Sequence, residues 1–252
     1  ALANKYNLFV VEDCAQAHGA QIKCNDGFKS VGSFGDVSAW SFCQDKIMTT
    51  GGEGGMVTTN SIKHWEKIWS FKDHGKEFNK VHQEKRNLGF RWLHERFGSN
   101  FRLTEIQSAI GRNQIKKLKN WNVIRNRNAK ILLDELSKCS LLRIPKIPED
   151  IIHAYYRFYC YLNQDALTAG WDRTRIIQEI SDTGYPAFEG SCGEIYLEKC
   201  FKNAGISPKK RLKNASLLSL TSLCFLTHPS IDEELMRIYS KNIKKVILMA
   251  TR

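Results

Sequence analysis

Two residues of this 252-residue sequence stand where side-chain chemistry would need a partner. Asp13 follows the apolar run Leu8-Phe9-Val10-Val11, which reads as a strand buried on both faces of a parallel sheet. Such strands end at the edge where open α/β sheets bind ligands. A carboxylate there needs a cation or a hydrogen-bond donor, and a protonated pyridine nitrogen would supply both. Asp13 also precedes Cys14-Ala15-Gln16-Ala17, and taken alone a helix N-cap accounts for it better. Lys46 lies between a second predicted strand and the turn Gly51-Gly52-Glu53-Gly54-Gly55. A lysine can form a Schiff base with an aldehyde once its amine is deprotonated, which a nearby cation or partial desolvation favours. Among 38 basic residues, a surface lysine is the simpler account of Lys46 taken alone. The glycine cluster has backbone N–H groups that can cradle a phosphate. It matches neither G-x-G-x-x-G nor a Walker loop, and it also suits a tight turn passing close to a ligand.

The elements that must position these residues are legible in part. Val37 to Phe42 and Met56 to Thr59 read as short strands, and Ser61 to Phe71 as a helix. Thr104 and Gln107 have capping-box spacing. Leu103, Ile106, Ile110 and Leu118 then fall on one helical face, in a helix that runs past Trp121, with room for a break, toward Leu136. Pro145 and Pro148 punctuate the chain. Tyr155 to Leu162 reads as a strand and Arg173 to Ser181 as a helix. Ser230 and Glu233 repeat the capping-box spacing and open a last helix through about Leu248. The expected fold class is α/β: residues 1–124 as part of a large, mainly parallel sheet domain and residues 125–252 as a smaller α/β domain.

The composition, 42% hydrophobic and 25% charged, is that of a globular protein with a core. Apolar runs are too short to span a membrane. Ala1-Leu2-Ala3-Asn4-Lys5 lacks a signal-peptide pattern and an initiator Met, and reads like a helix end entering a strand inside a larger protein. The eight cysteines contain no C-x-x-C pair, so they are expected as free, mostly buried thiols in a reducing cytoplasm, with no metal site. The net charge of +12 suits a polyanionic partner. No nucleic-acid recognition motif accompanies it, whereas phosphorylated small molecules fit it equally. Much of the charge lies in residues 72–102 and 116–130, the second stretch being helical with its charges on a solvated face.

The motifs carry more together than singly. Val10-Val11-Glu12-Asp13-Cys14-Ala15-Gln16-Ala17-His18-Gly19-Ala20 is followed by Gly32-Ser33-Phe34-Gly35-Asp36, then by Trp40-Ser41-Phe42-Cys43-Gln44-Asp45-Lys46. Thr49-Thr50 leads into the glycine turn and Met56, and Gly98-Ser99-Asn100-Phe101-Arg102-Leu103-Thr104-Glu105-Ile106-Gln107-Ser108-Ala109 comes later. In order and spacing this series resembles the DegT/StrS nucleotide-sugar aminotransferases, enzymes of fold type I that use pyridoxal 5'-phosphate (PLP). The resemblance is clear to about Leu118 and weaker beyond. It implies that Lys46 is the Schiff-base lysine, which also moves a proton. It implies that Asp13 partners the pyridine nitrogen, Gln16 lies against the phenolic oxygen and Ser41 binds the cofactor phosphate. It further implies a homodimer with shared active sites, in which Asn100 reaches the other subunit's phosphate; Arg102 belongs to that motif as a ligand or as loop support. On the substrate side it points to Tyr185, to Glu194 within Gly190 to Tyr196, and to His228, each of which a loop or capping role would also explain.

The resemblance implies a cytoplasmic enzyme that moves an amino group from an amino-acid donor, glutamate, to a nucleoside-diphosphate keto sugar, for surface polysaccharide, lipopolysaccharide or glycan biosynthesis. It also implies a portion ahead of the strand ending in Asp13, with a phosphate-binding backbone loop and an aromatic residue stacked on the cofactor ring. That portion is not among these residues, which leaves a truncated, inactive remnant serving as a binding or regulatory protein as the alternative. Sugar dehydratases of the same family are a third reading, disfavoured because they lack the lysine present here as Lys46.

Overall fold

In the computed structural model, residues 1–84 and 88–252 are described; Lys85, Arg86 and Asn87, part of the first basic stretch, lie outside them. The elements in chain order are α1 (Leu2–Tyr6), β1 (Val11–Asp13), β2 (Gln21–Cys24), β3 (Gly27–Ser30), β4 (Val37–Ser41), β5 (Gly55–Thr58), α2 (Ile62–Lys72), α3 (Phe78–His82) and α4 (Glu105–Leu136). They continue with β6 (Leu142–Arg143), β7 (Ile151–Ile152), β8 (Phe158–Leu162), α5 (Arg173–Asp182), α6 (Lys199–Asn203), α7 (Lys213–Thr221), β9 (Ser222–Phe225) and α8 (Glu233–Met249). The chain divides into two compact units, residues 1–120 with 149–154, and residues 121–148 with 155–252.

The first unit is built on the sheet β1-β4-β5. β1 runs parallel to β4, with Val11 opposite Val37 and Asp13 opposite Ala39, and β4 runs antiparallel to β5. The α/β class expected from the sequence is present, with mixed sheets. β1 is an edge strand, and Val11 is 61% exposed, so the run from Leu8 is not buried on both faces within this chain. A second sheet, β3-β2-β7, was not foreseen. Its β2–β3 hairpin turns at Asn25-Asp26, with Gly27 at φ 108°. Ser61 caps α2 by accepting from the His64 N–H at 3.3 Å. The capping box at α4 forms as spaced: Thr104 Oγ1 accepts from Gln107 N, and Gln107 Oε1 from Thr104 N at 3.1 Å. α4 then continues without interruption for 32 residues. The apolar stripe at its start stays exposed, Ile106 at 77%.

The second unit closes its own core. The antiparallel sheet β6-β8-β9 alternates buried and half-buried residues along β8, as one packed face requires. Its buried face packs with Leu132 and Leu136 of α4, Ile176 and Ile180 of α5, and Met236, Ile243 and Ile247 of α8. β9 and α7 were not expected from the sequence. α8 is capped by Asp232, which accepts from Leu235 N at 2.8 Å, while Ser230 bonds His228 instead. The carboxylate wins the cap because its charge also meets the positive end of the helix dipole. The solvated face expected over residues 116–130 fails at Arg125, which is only 3% exposed. It donates to the carbonyls of Tyr155 and Tyr156 at 3.3 and 3.2 Å, and burial pulls its pKa down to about 10. Of the eight free cysteines, four are buried, so half and not most of the thiols are sequestered. No helix among the described residues is long and apolar enough to cross a membrane.

Candidate functional site

Asp13 is placed by its neighbour. Successive strand residues face opposite sides, and Glu12 uses its side to bind the turn at residues 32–35. Its Oε1 accepts from Phe34 N at 2.7 Å and Gly35 N at 2.6 Å, and its Oε2 from Gly32 N at 2.7 Å. Burial alone would raise the Glu12 pKa; the backbone donors of Gly35, Gly32 and Phe34, with the Ser38 hydroxyl, outweigh it and hold the carboxyl below the usual glutamate range. Cys14 N donates to Ala39 O at 2.9 Å and locks the end of β1 onto β4. Asp13 Oδ1 accepts from Ala15 N at 3.0 Å, but only turns follow it, so the helix-cap account of Asp13 does not hold. Gln16 is exposed in that turn. His18 is 3% exposed, with its ring 5.4 Å from that of Trp40 and 5.9 Å from that of Phe42.

Ser41 ends β4 opposite Gly55, two positions beyond the partner of Asp13. Its Oγ accepts from Cys43 N at 3.3 Å. Lys46 sits in the turn that follows, its N–H bonded to Cys43 O at 3.1 Å and its side chain 16% exposed. Its Nζ lies 3.9 Å from Asp45 Oδ1, and the buried Ile47 and Met48 anchor the chain just after it. The glycine turn is a close crossing: a Cβ on Gly54 would stand 2.2 Å from Thr50 Oγ1, and Gly51 has φ 83°. Gln107 Nε2 donates to Glu53 O at 2.6 Å, so the residue that completes the α4 capping box also holds this turn.

Asn100 lies on an exposed loop whose backbone is bonded to the end of α2. Its Oδ1 accepts from Arg102 Nε at 3.2 Å. In the second unit, Tyr185 stacks on Tyr239 at 5.5 Å and packs against the core. Glu194 is buried, with Arg211 Nε 3.0 Å from its Oε1 and the Tyr196 hydroxyl on the same oxygen; these bonds take its pKa down to about 2. His228 Nδ1 lies 2.6 Å from Ser230 Oγ, and partial burial followed by the Arg125 charge lowers its pKa.

The model of the DegT/DnrJ/EryC1/StrS aminotransferase family matches residues 1–241. The chain belongs to this family. GDP-perosamine synthase of Escherichia coli O157:H7 is 36% identical over 155 residues, 62% of this chain and 38% of that protein. A UDP-N-acetyl-3-dehydro-alpha-D-glucosamine 3-aminotransferase of Acidithiobacillus ferrooxidans is 35% identical over 163 residues, 65% of this chain and 40% of that protein. An aminotransferase crystal structure from Psychrobacter cryohalolentis superposes with a TM-score of 0.92 at 48% identity, covering 99% of this chain and 64% of that one. The chain thus spans less than half the length of these two curated relatives. Neither Glu12 nor His18 stands out by residue type or spacing; both lie inside the Val10 to Ala20 run that carries Asp13. Nothing local in the sequence marks that Glu12 would reach the turn beginning 20 residues later.

Proposed function

We propose that the chain is the lysine-bearing part of a PLP-dependent aminotransferase that transfers an amino group, from glutamate, to a nucleoside-diphosphate keto sugar for surface polysaccharide or glycan biosynthesis. The observation that supports this reading is that Asp13 and Ser41 end the two strands of one parallel pair at the same edge, with Lys46 in the turn that follows Ser41. The donor set fits the cofactor: a carboxylate for a ring cation, a hydroxyl for a phosphate and an amine for an aldehyde. Bound there, PLP would supply an electron sink for the carbon that loses its proton. Asp13 would hold the positive charge at the ring nitrogen, Gln16 would lie against the phenolic oxygen, and Ser41 with Asn100 would hold the phosphate. Lys46 Nζ would hold the aldehyde carbon and, as a free amine, would be the group that carries a proton. Tyr185 and His228 would face the substrate, and Glu194, both oxygens engaged, would fix the loop that carries it.

The basic balance supports a diphosphate substrate and a phosphorylated cofactor. The exposed apolar surface of the first unit supports an assembled, homodimeric form, and the place of action is proposed as the cytoplasm. Borohydride reduction in the presence of PLP, followed by peptide mapping, is expected to label Lys46; a label on another lysine would overturn the assignment. For the shared site, Asn100→Ala and Lys46→Ala subunits are mixed and allowed to exchange. If Asn100 acts across the interface, half the sites of each heterodimer are intact, and random mixing returns about a quarter of the normal activity. Mixtures as inactive as their parents, with exchange demonstrated, would rule the shared site out.

A further inference from the structure

The loop that carries Asn100 is built more closely than its exposure suggests. Ser99 N donates to Phe71 O at 2.7 Å, Phe101 N to Lys72 O at 2.9 Å and His74 N to Ser99 O at 3.0 Å. The loop therefore lies like a short strand against the residues that end α2. Two glycines permit the approach. A Cβ on Gly75 would fall 1.7 Å from Arg96 O, and one on Gly98 would fall 2.3 Å from Gly75 N.

His74 sits in this crossing at φ 60°, in the left-handed region that costs a non-glycine residue about 1 kcal/mol. Glycine would adopt that conformation freely, so the imidazole calls for a reason beyond the turn. Its Nε2 lies 3.3 Å from Arg102 Nη2. A guanidinium has donors only, so in this hydrogen bond Nε2 is the acceptor. The same guanidinium turns its Nε to Asn100 Oδ1 at 3.2 Å, and the Arg102 N–H meets that oxygen at 3.4 Å. Two donors on one atom settle which end of the carboxamide is oxygen. They leave the Asn100 NH2 group as the end that can donate elsewhere.

Asp73 completes the setting. Burial alone would raise its pKa; the hydrogen bond from Lys76 and the charges of Lys76, Lys72 and Arg102 outweigh it and keep the carboxyl ionised. Lys76 Nζ lies 3.1 Å from one carboxylate oxygen and Lys72 Nζ 3.5 Å from the other. The nearby carboxylate thus serves the two lysines, and Arg102 Nη2 donates to His74 Nε2.

We propose that His74 is a positioning residue: it fixes the Arg102 guanidinium, which fixes the Asn100 carboxamide with its NH2 turned outward to donate to the cofactor phosphate. This rests on the phosphate-binding reading of Asn100. The test compares the affinities of the protein for PLP and for pyridoxal, which lacks the phosphate, by absorbance titration. His74→Ala is expected to weaken PLP binding about tenfold, the scale of one hydrogen bond to a charged acceptor, with pyridoxal binding unchanged. His74→Gln restores an acceptor for Arg102 and should recover most of the loss. Asn100→Ala should show the same selective loss, and the double variant little more, because both act on one contact. If Asn100→Ala lowers the preference for PLP and His74→Ala does not, the positioning role is wrong while the phosphate reading stands. Equal losses of PLP and pyridoxal affinity in His74→Ala would show a general loop defect and overturn the proposal. If Asn100→Ala leaves the preference unchanged, the phosphate reading falls and takes this inference with it.

Discussion

The two units divide the labour of the chain unequally. The second buries Leu132, Ile176, Leu223, Met236 and Ile243 completely, from three helices and a strand. In the first, the buried apolar residues are small or cluster about the turn of Lys46: Cys14, Ala20, Phe42, Ile47, Met48 and Ala154. Phe9, Phe97 and Ile106 meanwhile stay exposed. The first unit holds every residue assigned to the cofactor, and the second holds most of the packing. Both units leave large apolar side chains in water, the second at Ile195, Ile206 and Leu248 among others, but only the second also encloses an extended apolar core of its own.

This contrast separates effects on activity from effects on stability. The largest expected effect belongs to the first unit: Lys46→Ala should lower transamination by at least about 10²–10⁴-fold, the range for a lost proton carrier, with the midpoint of unfolding unchanged. A matching fall in the midpoint would mean that Lys46 is structural. Next, Ile243→Ala in the second unit should cost about 2–5 kcal/mol in chemical denaturation, because its site is fully enclosed. A loss below 1 kcal/mol would break the contrast in packing.

Glu12→Gln tests a charged anchor of the first unit. Losing a charged acceptor for three backbone donors should cost about 1–3 kcal/mol. The sign with pH follows from the lowered folded pKa. The stabilisation is complete above the ordinary glutamate pKa and fades as pH falls through the folded value. Wild type and Glu12→Gln should therefore converge in stability in acid; a gap that persists there would exclude the charge as its cause. The smallest effect is expected at Ile106→Ser, at most about 0.5 kcal/mol on unfolding of the isolated chain, since the side chain is already in water. The same substitution should weaken self-association in sedimentation velocity. Unchanged association would remove Ile106 from the covering surface.

What the sequence determined by itself is mostly local. Thr104 and Gln107 form their capping box, Ser61 caps α2, and the strand that ends at Ser41 lies where its apolar spacing put it, whereas β1 is shifted from the run Leu8 to Val11 onto Val11–Asp13. Each depends on hydrogen bonds or side-chain alternation within a few residues. The family motif extended this to family membership. Tertiary structure decided the rest. It placed Arg125 inside a basic helix that reads as solvated, because carbonyls 30 and 31 residues away receive it. It gave the α8 cap to Asp232 over Ser230, left Asp13 without a helix to cap and made β1 an edge strand. It also brought His74 to Arg102 across 28 residues, at a backbone angle that composition does not reveal. Spacing along a chain encodes which groups can meet within one turn or strand. Burial and long-range partners depend on which surfaces come to face each other, and only the folded arrangement supplies that.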